Sequence, residues 1–170
     1  MEWFITEALK RIGETFPFTW TGSLPTDEFG GQAVVFAEDV RVSGEYCFDG
    51  ESVLVEGEGE LALSRVCARC AEPFVKRMTV PFSERFVREG TLAMDDECRA
   101  LAGNRLQLLP VFMENLYLRL PIVATCRTDC KGLCPHCGVN LNQEDCPCGN
   151  SSRGNAFSAL SELYKDNKEV

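Results

Sequence analysis

Apolar and polar residues alternate between Asp39 and Leu63, and Asp49-Gly50 interrupts the alternation once. A period of two is typical of a strand with one buried face, and Asp-Gly is a strong signal for a two-residue hairpin turn. Such a turn would make three cross-strand pairs: Phe48 with Glu51, Tyr46 with Val53 and Gly44 with Val55. These pairs place the apolar side chains on one face, so the pattern predicts a β-hairpin.

Two more regular patterns occur before residue 90. Four apolar residues recur at helical spacing before Gly13 and predict a short N-terminal helix: Ile5, Ala8, Leu9 and Ile12. A second alternating run between Phe74 and Phe86 predicts another strand or two, and Pro81 within it marks an edge or a break. This part of the chain therefore predicts an antiparallel sheet.

Helices and loops are predicted beyond the sheet. The polar, irregular stretch from Gly90 to Arg105 is assigned to a loop. Between Pro110 and Pro121 the apolar residues recur at helical spacing, which predicts a helix that begins at Pro110, ends before Pro121 and packs on the core. A polar linker from Gly149 to Asn155 precedes a last amphipathic helix, whose apolar residues are Phe157, Leu160, Leu163 and Tyr164.

Composition is near the globular average except for cysteine. The chain has 170 residues, of which 45% are hydrophobic and 25% charged, but it contains ten cysteines. The N-terminus lacks a basic segment followed by an apolar stretch, and no segment approaches the roughly 20 apolar residues of a membrane span. We therefore expect a cytoplasmic protein, in which clustered cysteines are more often metal ligands or redox groups than disulfides.

Four cysteines near the C-terminus have the spacing of zinc ligands. Cys134-Pro-His-Cys137-Gly has the form of a zinc knuckle, and Cys146-Pro-Cys148-Gly resembles a second, tighter one. The segment has few apolar residues, whereas a structural zinc contributes roughly 10–16 kcal/mol of apparent binding energy. The sequence predicts that these four thiolates bind one zinc ion. His136 occupies the variable position of the knuckle and is expected to be solvated.

A second zinc site is predicted from the remaining clustered cysteines. Its ligands would be Cys67, Cys70, Cys126 and Cys130, and this site would attach the sheet to the cysteine-rich module. Alternatively, Cys126 or Cys130 belongs to a single site and the other cysteines are free. Cys47 and Cys98 lack a near partner and are expected to be incidental thiols.

The sequence favours a binding protein over an enzyme. Cys67-Ala-Arg-Cys70 has the spacing of a thiol redox pair, but extended structure is predicted after it, whereas a thioredoxin-like pair opens a helix. The recognisable metal ligands are all thiolates, and a hydrolytic site would keep an open coordination position with a base nearby. The sequence contains no Ser/His/Asp arrangement, Gly-rich phosphate loop or HExxH motif. We expect no catalytic residues and no small-molecule substrate.

Four segments, taken in order, carry a family resemblance. They are Cys67-Ala-Arg-Cys70-Ala-Glu-Pro-Phe74, Leu118-Arg-Leu-Pro121, Cys130-Lys-Gly-Leu-Cys-Pro-His-Cys-Gly-Val-Asn-Leu-Asn142 and Asn155-Ala-Phe-Ser-Ala-Leu160. Together they resemble the YceD-like family of large ribosomal RNA subunit accumulation proteins, over roughly Arg65 to Leu163. The resemblance implies a bacterial or organellar protein that supports processing or accumulation of large-subunit rRNA, with precursor rRNA or a ribosomal protein as its partner.

Charge is distributed unevenly. The formal net charge is −9, and residues 1–60 hold three basic against thirteen acidic residues. Residues 61–90 hold six basic against three acidic residues, and a net-basic stretch of this kind predicts contact with RNA. The RNA-contacting residues predicted there are Arg65, Arg69, Lys76 and Arg77. An ordinary solvated strand face is the alternative, and the acidic N-terminal part favours contact with a basic ribosomal protein.

These patterns predict an α+β fold. It would consist of an antiparallel β-sheet or partly closed barrel, a few flanking helices and a C-terminal zinc-knuckle module. The predicted divisions are a β-rich domain over residues 1–121, a zinc module over 122–150 and a C-terminal helix over 151–170 that packs back. Two functions are compatible with this organisation: a ribosome-biogenesis factor that binds rRNA, and a zinc-stabilised protein-interaction module that does not. Thiol redox activity is a third alternative.

Overall fold

A computed structural model describes residues 1–29, 31–88 and 98–148. The chain divides into two compact units. Of the described residues, the first unit contains those within Met1–Ala68 and Glu72–Thr128, and the second contains Arg69–Ala71 and residues 129–148. The predicted C-terminal helix and its linker lie outside the described residues, as do residues 90–97 of the predicted loop.

The first unit is built mainly from β-strands. Its described elements are β1 (Glu2–Phe4), a 3-10 turn (Ala8–Lys10), β2 (Thr15–Gly22), β3 (Asp27–Phe29), β4 (Gln32–Phe36), β5 (Val40–Phe48), β6 (Ser52–Val66), β7 (Pro73–Arg88), β8 (Arg99–Leu101), β9 (Arg105–Gln107) and α1 (Leu109–Arg119). No helix in the described part of the chain combines the length and hydrophobicity that a membrane crossing requires.

Seven strands form one sheet around the long strand β6. On one side β6 pairs with β5 and then, further along, with β4; on the other side it pairs with β7 over its whole length. All these pairings are antiparallel, and β8 adds a short parallel strand to β7. The predicted antiparallel sheet is confirmed. It is open among the described strands, so the barrel alternative is not observed, and the predicted flanking helices reduce there to α1 and one 3-10 turn.

The predicted β5–β6 hairpin is present, but the predicted register differs from the observed one by two residues. Phe48 pairs with Val53, so four residues separate this cross-strand pair instead of the two that were predicted. Asp49 causes the difference, because its Oδ1 accepts the backbone N–H of Glu51 at 2.9 Å and of Ser52 at 2.7 Å. A shift of two residues leaves each side chain on its original face, so the predicted apolar face survives.

The second alternating run forms one strand rather than two. β7 continues through Pro81, whose cross-strand partner is Glu58. Proline lacks a backbone N–H, and within the described strands β7 has a second neighbour, β8, only at residues 86–88. Pro81 therefore marks an edge, and the alternative of a break was wrong.

The core lies between one face of the sheet and α1. Its sheet residues include Phe18, Val40, Val42, Tyr46, Phe48, Val53, Val55, Leu61, Leu63, Val80, Phe82 and Phe86. The predicted helix is confirmed and buries Val111, Phe112 and Leu116 in the same core. Phe112 packs directly over Gly59: a Cβ atom added at Gly59 would lie 2.2 Å from a ring carbon of Phe112.

Two local predictions were wrong because long-range pairing overrides local pattern. The N-terminal helix is only a 3-10 turn of three residues, since residues 2–4 pair with residues 105–107 as β1 and β9. The predicted loop from Gly90 to Arg105 contains β8 and the first residue of β9. Such three-residue strands form on partners distant in sequence, so they leave little local signal.

Candidate metal centre

Eight cysteines form two groups of four in the described residues. We name the group Cys67, Cys70, Cys126 and Cys130 cluster A, and the group Cys134, Cys137, Cys146 and Cys148 cluster B. Within each cluster the four Sγ atoms all lie within 4.8 Å of one another. The groups coincide with the two sets that were preferred from the sequence. Metal binding by either set stays a prediction.

The sulfur spacing in cluster B fits a single tetrahedral metal ion. A Zn–S bond length of about 2.3 Å places the sulfurs of a tetrahedral site about 3.8 Å apart. The Sγ atom of Cys146 lies 3.2 Å from that of Cys134 and 3.5 Å from that of Cys137. Four sulfurs at this spacing could all bind one cation.

The backbone around Cys134 forms a tight knuckle. Gly138 donates its N–H to the carbonyl of Cys134 at 2.9 Å, and Cys134 donates to the carbonyl of Val139 at 2.8 Å. Gly138 has φ +77°, a left-handed conformation that favours glycine. The turn also directs the backbone N–H of His136 at the Cys134 sulfur, at 3.4 Å. The His136 side chain is exposed.

Backbone N–H groups of the knuckle stabilise a thiolate at Cys134. Hydrogen bonds from the backbone N–H groups of Cys137 and His136 lower the pKa of Cys134 to about 6. The hydrogen bond to Cys134 raises the pKa of the neighbouring Cys146 to about 12. This raised pKa keeps Cys146 protonated near neutral pH. A divalent cation would allow all four to ionise, because metal binding displaces thiol protons.

Cluster A includes the tip of the β6–β7 hairpin. Cys67, Cys70 and Cys130 are buried and Cys126 is partly buried. Cys126 donates its N–H to the Cys67 sulfur at 3.4 Å. Three buried thiols and a fourth, partly buried sulfur could together bind a soft divalent cation.

Ala71 follows Cys70 and repeats the geometry of the other knuckle. Its φ is +58°, and it is the only non-glycine residue with positive φ in the described chain. The residue after the second cysteine is thus left-handed in both Cys-x-x-Cys segments. Sequence reasoning missed this equivalence because alanine does not signal such a turn, whereas Gly138 does.

Asn142 is a further residue of the site that sequence reasoning missed. Its Nδ2 group donates to the Cys130 sulfur at 3.4 Å. Its Oδ1 atom accepts the backbone N–H of Lys131 at 2.9 Å. The signal in the sequence was a pair of asparagines, Asn140 and Asn142, between two pairs of cysteines.

The four predicted RNA-contacting residues have different surroundings. Arg65 is buried and donates to the carbonyl of Pro121 at 3.5 Å. Arg69 is exposed and donates through Nη1 to the carbonyl of Cys130 at 3.1 Å. Arg77 pairs with Glu38, and its neighbour Lys76 is exposed. RNA contact by these residues stays a prediction.

Three curated relatives are similar to parts of the chain. Two uncharacterized proteins, from Mycobacterium tuberculosis and Mycobacterium bovis, are each 34% identical over 117 residues, which is 66% of this chain and 55% of each relative. The large ribosomal RNA subunit accumulation protein YCED homolog 1, chloroplastic, of Arabidopsis thaliana is 38% identical over 48 residues, or 28% of this chain and 15% of that protein. The chain thus spans about half the length of the mycobacterial relatives.

No solved protein structure is significantly similar to the chain. The family described as large ribosomal RNA subunit accumulation protein YceD matches residues 55–164, which is more than half of the sequence. The match contains β7, α1 and all eight cysteines of clusters A and B. The chain therefore belongs to the YceD family.

Proposed function

We propose that this chain is a non-enzymatic ribosome-biogenesis factor that acts in the cytoplasm. It supports the processing or accumulation of large-subunit rRNA by binding precursor rRNA, with a ribosomal protein as the alternative partner. The single observation that carries the proposal is membership of the YceD family, whose description names accumulation of this RNA. The cysteine clusters are included in the matched region and belong to the same proposal.

In this proposal, clusters A and B each bind a zinc ion with a structural role. Zinc bound by four thiolates has no open position for water or substrate, so it would stabilise the fold without acting as a Lewis acid. The second unit needs such stabilisation: the residues of the hydrophobic core all lie in the first unit, among those described. Its buried apolar residues there are Cys70, Cys130 and Cys134.

Metal content tests this part of the proposal. Purified protein should contain about two zinc ions per chain by elemental analysis, and Cys67→Ser should reduce the value to about one. Cys134→Ser should remove the other ion and disorder the loop of cluster B while the β-sheet circular dichroism persists. Cys47→Ser is the matched control, since Cys47 lies in β5 outside both clusters. Metal-free protein with an ordered second unit would refute structural zinc.

Arg69 is the first residue proposed to contact phosphate. Its bond to the Cys130 carbonyl holds the guanidinium in place, so less side-chain entropy is lost when it binds an anion. The exposed Lys76 is the second. Arg65 is buried, and Arg77 would have to share its charge with Glu38, so both rank lower.

Crosslinking in cells followed by sequencing of the attached RNA tests RNA binding. Arg69→Ala and Arg69→Glu should weaken the association with precursor rRNA, and salt should weaken it further if phosphate contacts provide the affinity. Lys10→Glu is the control, because it makes the same charge change in the acidic N-terminal segment. Variants that fold, retain metal and crosslink as well as wild type would refute the role of Arg69.

An acidic strand face favours the protein-interaction alternative. Glu56, Glu58 and Glu60 alternate along β6 with Gly57 and Gly59, which face aromatic rings of the core, so the three glutamates share the solvent face, and all three are exposed. Glu45 is also exposed and is the direct cross-strand partner of Glu56. Like charges in direct opposition destabilise a sheet, and a basic ribosomal protein would relieve the repulsion. If no RNA crosslinks and Glu56→Lys abolishes sedimentation with ribosomal precursors, this alternative is the better one.

A further inference from the structure

Asn142 connects the loop of one cysteine cluster to a ligand of the other. In sequence it lies between Cys137 and Cys146, so the segment that carries it begins and ends on sulfurs of cluster B. Its Nδ2 group nevertheless donates to the sulfur of Cys130, which belongs to cluster A. Both residues lie in the second unit.

Local hydrogen bonds fix the orientation of this side chain. The Oδ1 atom of Asn142 accepts the Lys131 N–H, and Nδ2, on the opposite side of the amide, donates both to the Cys130 sulfur at 3.4 Å and to Oδ1 of Asn140 at 2.8 Å. The backbone N–H of Asn142 donates to Oδ1 of Asn140 at 3.0 Å, and Leu141 donates its N–H to the carbonyl of Gly132 at 2.9 Å. The loop conformation therefore determines where the amide group lies.

An N–H group directed at a metal-bound thiolate stabilises the negative charge on sulfur. Hydrogen-bonding partners of metal ligands typically change metal affinity or activity by about 10- to 100-fold when they are removed. The Asn142 amide holds this position only while the loop between Cys137 and Cys146 keeps its conformation. A metal ion in cluster B would fix both ends of that loop.

We infer that Asn142 couples metal binding at the two clusters. A metal ion in cluster B fixes the loop and holds the Asn142 amide against Cys130, which raises the metal affinity of cluster A. By linkage, a metal ion in cluster A raises the affinity of cluster B by the same factor. The inference rests on the metal sites of the proposed function, and Asn142 is in this sense a positioning residue.

A double-mutant cycle on the full chain tests the coupling. The affinity of cluster A is measured with Zn²⁺ by chelator competition and with Co²⁺ by its thiolate charge-transfer absorption, and Cys67→Ser identifies the signal of cluster A. Asn142→Ala should lower this affinity about tenfold or more. Cys146→Ser, which disables cluster B, should lower it similarly in the wild-type background and add little in the Asn142→Ala background.

Two further variants sharpen the result. Asn142→Asp keeps an acceptor for Lys131 but removes the donor to Cys130, so it should weaken cluster A at least as much as Asn142→Ala does. Gln143→Ala is the matched control, because Gln143 is exposed in the same loop. If Cys146→Ser fails to fold, stepwise Co²⁺ titration of Asn142→Ala, which retains all eight ligands, must show that cooperativity between the two sites is lost.

The outcomes separate the coupling from the metal sites themselves. If both clusters bind metal and Asn142→Ala leaves the affinity of cluster A unchanged, the coupling is refuted and the metal sites remain. Equal weakening by Cys146→Ser in the two backgrounds also refutes it. If neither cluster binds metal, the proposed zinc sites and the coupling are refuted together.

Discussion

A substitution at Gly138 isolates the energy of one left-handed residue in a metal-binding turn. Gly138 has φ +77°, and a Cβ atom added there would meet nothing within 4 Å. Gly138→Ala therefore introduces backbone strain without a steric clash. Ala71 holds the equivalent position after Cys70, with φ +58°, so Ala71→Gly makes the opposite change in the other Cys-x-x-Cys segment.

The expected magnitude follows from the conformation. A residue with a Cβ atom is less stable in the left-handed region by roughly 1–2 kcal/mol. Replacing glycine also reduces the entropy of the unfolded chain, which offsets roughly 0.4–1 kcal/mol of this. The net loss for Gly138→Ala is about 1 kcal/mol, or about fivefold in an equilibrium constant. Ala71→Gly should stabilise its turn by a similar or smaller amount.

Zinc competition titrations measure both changes, because folding of the turn and metal binding are coupled. Gly138→Ala should weaken zinc binding at cluster B about fivefold. Gly138→Asn should weaken it less, since asparagine adopts the left-handed conformation more readily than alanine. Unchanged affinity in Gly138→Ala, or equal losses in the alanine and asparagine variants, would refute the reasoning. Ala71→Gly must not weaken cluster A.

Two predictions concern the first unit. Gly59→Ala should destabilise the first unit by roughly 1–3 kcal/mol in urea unfolding, because the new methyl group would overlap the Phe112 ring. Phe112→Leu, combined with Gly59→Ala, should restore part of the loss. Glu58→Ala is the control and should change the free energy of unfolding by less than about 0.5 kcal/mol. Burial and a hydrogen bond to Asp27 raise the pKa of Tyr117 to about 12, so the stability from this ionisation is present below about pH 10 and lost as the pH rises towards 12. Tyr117→Phe should abolish that alkaline loss, and an unchanged pH profile would contradict it.

The sequence predicted those parts of the first unit that local pattern determines. Alternation identified β5, β6 and β7, and the two prolines bracketed α1. The register of the hairpin was missed because a side chain, Asp49, and not the Asp-Gly dipeptide alone, determines the length of the turn. β8 and β9 were missed because three residues carry almost no periodicity and their partners are remote in sequence.

The candidate site was predictable in its residue types and less so in its geometry. Spacing was enough to propose clusters A and B, since thiolates two or three residues apart can share a metal ion. Ala71 could not be identified, because its left-handed conformation is imposed by the turn between β6 and β7 and not by alanine itself. Asn142 could not be assigned either, because asparagine is common in loops and its contact with Cys130 depends on the folded loop.

The two units differ in what stabilises them, and this difference bears on function. The first unit has a core of aromatic and branched side chains between the sheet and α1, which is sufficient for an ordinary globular fold. The buried apolar residues described in the second unit are cysteines, and metal–sulfur bonds from these cysteines would hold its loops together.

Arg69 lies in this second unit, and the carbonyl that accepts its hydrogen bond belongs to Cys130. Loss of zinc should therefore release Arg69 and weaken RNA association while the sheet stays folded, whereas binding through the acidic face of β6 should survive chelation. Comparing the partners retained before and after chelation thus separates the two proposed modes of action in one preparation of the protein.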